Sequence, residues 1–79
     1  MNIQVKYFGQ LAEIAGKAEE TISLESGANI EWVKNMLLQK YSLQKAFFRI
    51  ALNSKISEDE NLEITDGDEL AFFPPFAGG

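Results

Sequence analysis

The 79-residue sequence has no cysteine and no histidine, two prolines and a single tryptophan. Without cysteine there is no disulfide, no thiolate nucleophile and no thiolate metal site. Without histidine, the commonest general base and the commonest metal ligand are both missing. Positive charge is also scarce: 7 Lys and Arg stand against 12 Asp and Glu, a net charge of −5. Seven scattered cations make no basic patch able to neutralise phosphates, so nucleic acid is excluded as the expected partner. Long apolar runs are absent as well. The Leu70–Phe73 stretch falls far short of the roughly 20 residues a membrane-spanning helix requires. The first residues alternate polar and apolar side chains and do not form a basic region followed by an apolar core. These absences describe a small, soluble, cytoplasmic domain with no membrane partner and no activity of its own. A chain this short buries only roughly 60% of its unfolded surface.

What is present reads as an α+β roll. Ile3, Val5 and Tyr7 alternate with Gln4 and Lys6, the period of a half-buried strand. Gly9 breaks that pattern, and Leu11, Ile14 and Ala15 mark a short helix stopped by Gly16. Thr21 to Leu24 forms a second strand with Ile22 and Leu24 inward, and Ser26-Gly27 turns the chain. The main helix runs from Asn29 to about Tyr41, with Ile30, Val33, Leu37 and Tyr41 on one face. Asn29 is its cap, Glu31 suits its first turn and Lys40 its last. Trp32 and Met36 lie off the stripe and either cover the rim of the core or meet a partner.

Phe48, Ile50 and Leu52 then alternate as a third strand. Asn53-Ser54 turns into a short return strand around Ile56. After a polar loop, Leu62 and Ile64 are expected to tuck back onto the core. Asp66-Gly67-Asp68 is a turn. Glu69 to Phe73 is the last strand, apolar on both faces from Leu70 as a centrally placed strand covered from both sides would be. Proline lacks an amide to donate, so Pro74-Pro75 ends the ladder. One helix thus crosses one face of a mixed sheet of about five strands, with the first and last strands side by side. Residues 1–75 form the domain, and 76–79 form a flexible tail ending in Gly78-Gly79.

That tail is the strongest chemical feature. Read by spacing alone it is either an ordinary frayed end or a delivery device. In the second reading the stiff Pro-Pro segment projects the terminus. Two glycines without Cβ atoms then enter a channel too narrow for side chains. The run Thr65-Asp66-Gly67-Asp68-Glu69-Leu70-Ala71-Phe72-Phe73-Pro74-Pro75-Phe76-Ala77-Gly78-Gly79 resembles the C-terminus of the small, sulfur-carrying subunits of molybdopterin synthase. The resemblance extends more loosely to Val5-Lys6-Tyr7-Phe8-Gly9-Gln10-Leu11-Ala12-Glu13 and to Ala51-Leu52-Asn53. Terminal Gly-Gly alone is a weak signal, shared with ubiquitin-like modifiers and the thiamine-pathway sulfur carrier. Combined with Phe-Phe-Pro-Pro and the acidic turn it is specific.

The resemblance implies a β-grasp, ubiquitin-like fold and a role in molybdenum cofactor biosynthesis. It makes Gly79 the working residue: an activating enzyme resembling the ubiquitin-activating type adenylates its carboxylate with ATP, and sulfur replaces AMP to give a thiocarboxylate. The large synthase subunit then receives Pro74, Pro75, Phe76, Ala77 and Gly78 along with that terminus. No cofactor or metal is expected on this chain, and ATP belongs to the activating enzyme. Strand parity together with the family pattern assigns Phe8, Ile56 and Phe73 to hydrophobic contacts with the partner. The plainer alternative is that Phe8 and Ile56 complete a small core. Other pathways remain open, including thiamine synthesis, tRNA thiolation and attachment to target proteins as a modifier. A purely structural interaction domain would leave the glycine terminus unexplained.

Seven of the acids (Glu58, Asp59, Glu60, Glu63, Asp66, Asp68 and Glu69) follow Lys55, with no Lys or Arg among them. They are either a solvated surface or a steering field for basic partners, with Asp66 and Asp68 mainly shaping the turn.

Overall fold

A computed structural model describes residues 1–43 and 47–75. The elements in chain order are β1 (Asn2–Tyr7), α1 (Gln10–Ala15), β2 (Glu19–Ser23), α2 (Ile30–Tyr41), β3 (Arg49–Leu52), β4 (Lys55–Ile56) and β5 (Glu69–Phe73). The strands form one sheet in the order β2-β1-β5-β3-β4. β1 and β5 pair in parallel, with Val5 opposite Leu70 and Tyr7 opposite Phe72, while the other pairings are antiparallel. The expected adjacency of first and last strands is therefore present, and β5 lies at the centre.

Alternation decides which face each strand gives to α2. Ile3, Val5 and Tyr7 of β1, Ile50 of β3, and Leu70 and Phe72 of β5 pack in one cluster with Ile30, Val33 and Leu37 of α2. Asn29 caps α2 as expected, its Oδ1 accepting from the Trp32 amide at 2.9 Å. At the other end, Tyr41 meets Tyr7 edge-on, with ring centroids 5.9 Å apart. Both Tyr hydroxyls donate to Glu20 Oε2, at 2.7 and 2.8 Å. Burial pulls the Glu20 carboxyl up, but these two hydrogen bonds and the nearby Lys17 and Lys40 outweigh it and hold the group below its usual range. Burial and the Glu20 charge together push the Tyr7 hydroxyl well up.

Four details differ from the sequence reading. β2 begins at Glu19 and ends at Ser23, so Leu24 is buried just past the strand, its amide bonded to the Met1 carbonyl at 2.7 Å. β3 begins at Arg49 and not at Phe48; the Phe48 ring packs 5.3 Å from that of Phe72. Leu62 does not tuck in. Its carbonyl accepts from the Ile30 amide, but its side chain stays 41% exposed beside the two-residue strand β4, while Ile64 under the start of α2 is buried. Finally, among the described residues β5 is not covered by elements on both sides. Ala71 and Ala51 are buried without belonging to the core cluster. They are hidden on the open face by their own small size and by the side chains on flanking strands.

The acidic C-terminal third is largely tied internally. Glu58 pairs with Arg49, Glu60 with Lys34 and Glu69 with Lys6. Asp66 accepts from the Asn2 amide at 2.7 Å, and Asp68 accepts from the Thr65 amide and the Asn53 side chain. Those bonds, the Asn53 one foremost, hold the Asp68 carboxyl low. The two aspartates do shape the turn. Ion pairing of this kind leaves less one-sign field for steering than the sequence alone suggests.

Candidate functional site

The side of the sheet away from α2 carries the residues expected to meet a partner. Directly opposite residues on paired strands share a face. The register therefore lays Lys6, Ala71, Ala51 and Ile56 in one row across β1, β5, β3 and β4. The next row, toward the C-terminal end of β5, holds Phe8, Phe73 and Arg49. Phe73 is opposite Arg49. Phe8 follows Tyr7, which is opposite Phe72, and its amide donates to the Phe72 carbonyl at 3.0 Å, so the ladder continues one residue past β1.

The two alanines make a flat floor between larger side chains. Phe8 is 48% exposed and Ile56 54% exposed, and neither joins the core. Phe73 is half-buried. The reading in which Phe8 and Ile56 complete the core does not describe this geometry. The cations on the face are compensated: Lys6 lies 3.3 Å from Glu69 and Arg49 3.2 Å from Glu58. A mostly apolar surface with its charges paired can be covered without stranding an ion, which is what a protein interface requires.

Pro74 leaves β5 at a defined seat. Gly9 has φ +57° and ψ −132°, a conformation that side chains with a Cβ rarely adopt. A Cβ there would stand 3.0 Å from Pro74 Cγ. The glycine thus lets the start of α1 lie against the proline and sets the level at which the chain departs. Pro74 and Pro75 follow the strand as expected. Phe76, Ala77, Gly78 and Gly79 lie outside the described residues.

Sequence reasoning overlooked two features of this end. Phe47, two residues before β3, is 87% exposed. The Phe47-Phe48 pair carried the signal, since one of two consecutive aromatics entering a strand must face away from the core. The alanine floor had no such signal: small residues in apolar runs read as core. Among the described residues no group of Asp and Glu has the arrangement of a metal site, and no helix is long and apolar enough to cross a membrane.

A mixed five-stranded sheet grasping one main helix, with an apolar end on its open face, defines a β-grasp, ubiquitin-like protein. The chain belongs to the ThiS family, whose model matches residues 5–79. It is 32% identical over 83 aligned positions to the molybdopterin synthase sulfur carrier subunit of Chlamydomonas reinhardtii, covering 100% of both chains. Among solved structures, it is similar to a chain in the complex of subunits 1 and 2 of molybdopterin-converting factor from Helicobacter pylori. That match has TM-score 0.76 and 25% identity and covers 100% of each chain. The small archaeal modifier protein 1 of Haloferax volcanii shares the fold, with TM-score 0.84, 24% identity and 100% of each chain covered.

Proposed function

We propose that this protein is the sulfur-carrier subunit of a molybdopterin synthase, presenting the Gly79 carboxylate to two successive partners. The observation that carries the reading is the apolar row of Phe8 and Phe73, placed where β5 ends and Pro74 leads toward the Gly-Gly terminus. Membership of the ThiS family and likeness to sulfur carrier subunits support it.

In the first step a Gly79 carboxylate oxygen attacks the α-phosphorus of ATP on an adenylating enzyme, and pyrophosphate leaves. A carboxylate is a poor electrophile, and the acyl-adenylate supplies the leaving group it lacks. A sulfur nucleophile delivered by a donor then attacks the carbonyl carbon. The C–O bond to AMP breaks, a C–S bond forms, and Gly79 becomes a thiocarboxylate. In the second step the open face docks on the large subunit, and the thiocarboxylate sulfur attacks a side-chain carbon of the pterin precursor there, forming a C–S bond as the C–O bond at that carbon breaks. Hydrolysis of the resulting thioester returns the Gly79 carboxylate. Acids, bases and oxyanion stabilisers are the partners' contribution. ATP is bound by the adenylating enzyme and not by this chain.

The modifier reading shares the adenylation step and differs in the attacking atom, an amine in place of sulfur. Intact-mass spectrometry after incubation with ATP, a molybdopterin-pathway adenylating enzyme and a sulfur donor separates them. Exchange of one oxygen for sulfur at Gly79 is the expected result. No exchange, under conditions that convert an authentic carrier, refutes the carrier reading. Attachment of Gly79 to lysines favours the modifier.

A further inference from the structure

The opposite side of the molecule carries a second exposed aromatic with no role in the reading above. Trp32, the chain's single tryptophan, sits in the first turn of α2 and is 52% exposed, whereas Met36 one turn on is half-buried against the core rim. Two adjoining hollows meet at Trp32. The larger, about 520 Å³, is lined by Glu31, Asn35, Met36 and Gln39, and the smaller, about 210 Å³, by Glu25. Among the described residues neither Glu25 nor Glu31 has an ion-pair partner, and of the two lysines of α2, Lys34 is held by Glu60 at 2.7 Å and Lys40 pairs with Glu20. The N-terminal end of the α2 dipole supplies no cation to the hollow.

We infer that the Trp32 hollow is a docking site for an arginine side chain of a partner protein, on the helix side of the domain and independent of the open sheet face. The charge and chemistry complement that group: an exposed indole shared by both hollows, one carboxylate lining each, and the side-chain amides of Asn35 and Gln39 lining the larger as further acceptors for a planar, five-donor guanidinium. A lysine offers one compact charge and fills fewer of these acceptors. A second copy of this chain is a poor occupant. Five of its cations (Lys6, Lys17, Lys34, Lys40 and Arg49) are already in ion pairs, which leaves Lys55 as the one described side-chain cation outside them.

The lone tryptophan reports directly on the site. Titration of the intact protein with an acetylated, amidated oligoarginine peptide at low salt is expected to give a saturable change in Trp32 fluorescence, stronger than with oligolysine. Glu25→Gln with Glu31→Gln is expected to weaken binding roughly tenfold. Glu13→Gln with Glu19→Gln, which removes the same charge elsewhere, leaves it within about twofold. Calorimetry on Trp32→Ala, with folding checked by circular dichroism, is expected to show the same loss as the first pair. Phe8→Ala is expected to bind the peptide normally, so failure of the sheet-face docking does not mask this result. No saturable signal, equal weakening by both charge pairs, or concentration-dependent self-association abolished by Trp32→Ala would overturn the inference.

Discussion

Removing the Phe8 ring tests the proposed docking face with the least disturbance to the fold. Phe8 is 48% exposed and lies outside the core cluster. A phenylalanine offers roughly 200 Å² of surface, so about 100 Å² of Phe8 remains for a partner to cover. At roughly 25 cal/mol per Å² that is about 2.5 kcal/mol. Alanine keeps the Cβ, which brings the expected loss for Phe8→Ala to about 2 kcal/mol, or roughly 30-fold in Kd. Titration calorimetry against the large subunit of a molybdopterin synthase reads this directly, with thermal unfolding run on the same samples. Stability is expected to change by no more than about 0.5 kcal/mol. Trp32→Ala, on the other side of the molecule, is expected to leave this Kd alone. An unchanged Kd for Phe8→Ala refutes the docking argument. A large fall in Tm would place Phe8 in the core and undo the parity reasoning.

Three further outcomes follow from the packing. Gly9→Ala is expected to cost roughly 1–3 kcal/mol and Gly16→Ala less by denaturant unfolding. Both have positive φ, but only the Gly9 Cβ meets Pro74; equal losses would remove Pro74 from the account. Leu37→Ala, fully buried, is expected to cost about 2–5 kcal/mol, and the exposed Leu62→Ala within about 0.5 kcal/mol, so a large loss at Leu62 would contradict its observed position. Glu20 and Asp68 both have folded pKa values below their ordinary ones. Their stabilisation is therefore complete above about pH 5 and is lost as pH falls through the folded values. Tyr7, raised, contributes below about pH 10 and loses its contribution above it. Glu20→Gln is expected to flatten the acid limb of a Tm-versus-pH curve, and an unaltered limb argues against the two-tyrosine network.

The missing cysteine and histidine limited this chain's chemistry before any strand was placed, and the terminal Gly-Gly pointed to the Gly79 carboxylate as the proposed working group. Local pattern determined most of the elements. The period-two run of Ile3, Val5 and Tyr7, the three- and four-residue steps of Ile30, Val33 and Leu37, the Asn29 cap and the Asn53-Ser54 turn are short-range effects, written in neighbouring residues. The aspartates of the last turn were legible for the same reason.

Tertiary structure decided most of what lies between elements. The parallel pairing of β1 with β5 joins residues more than sixty positions apart in the chain and brings Phe8 beside Phe73. The doubly apolar last strand pointed to that neighbour, but no local signal specifies the register, because the free energy of pairing depends on the whole sheet closing over α2. Burial of Ala51 and Ala71 outside the core, exposure of Leu62, and the pairing of Glu58, Glu60 and Glu69 with distant cations were invisible for the same reason. Side-chain type and spacing state what a residue can bury or bind. Whether it does so depends on what the folded chain places against it, as Trp32 and Met36 illustrate on one helix.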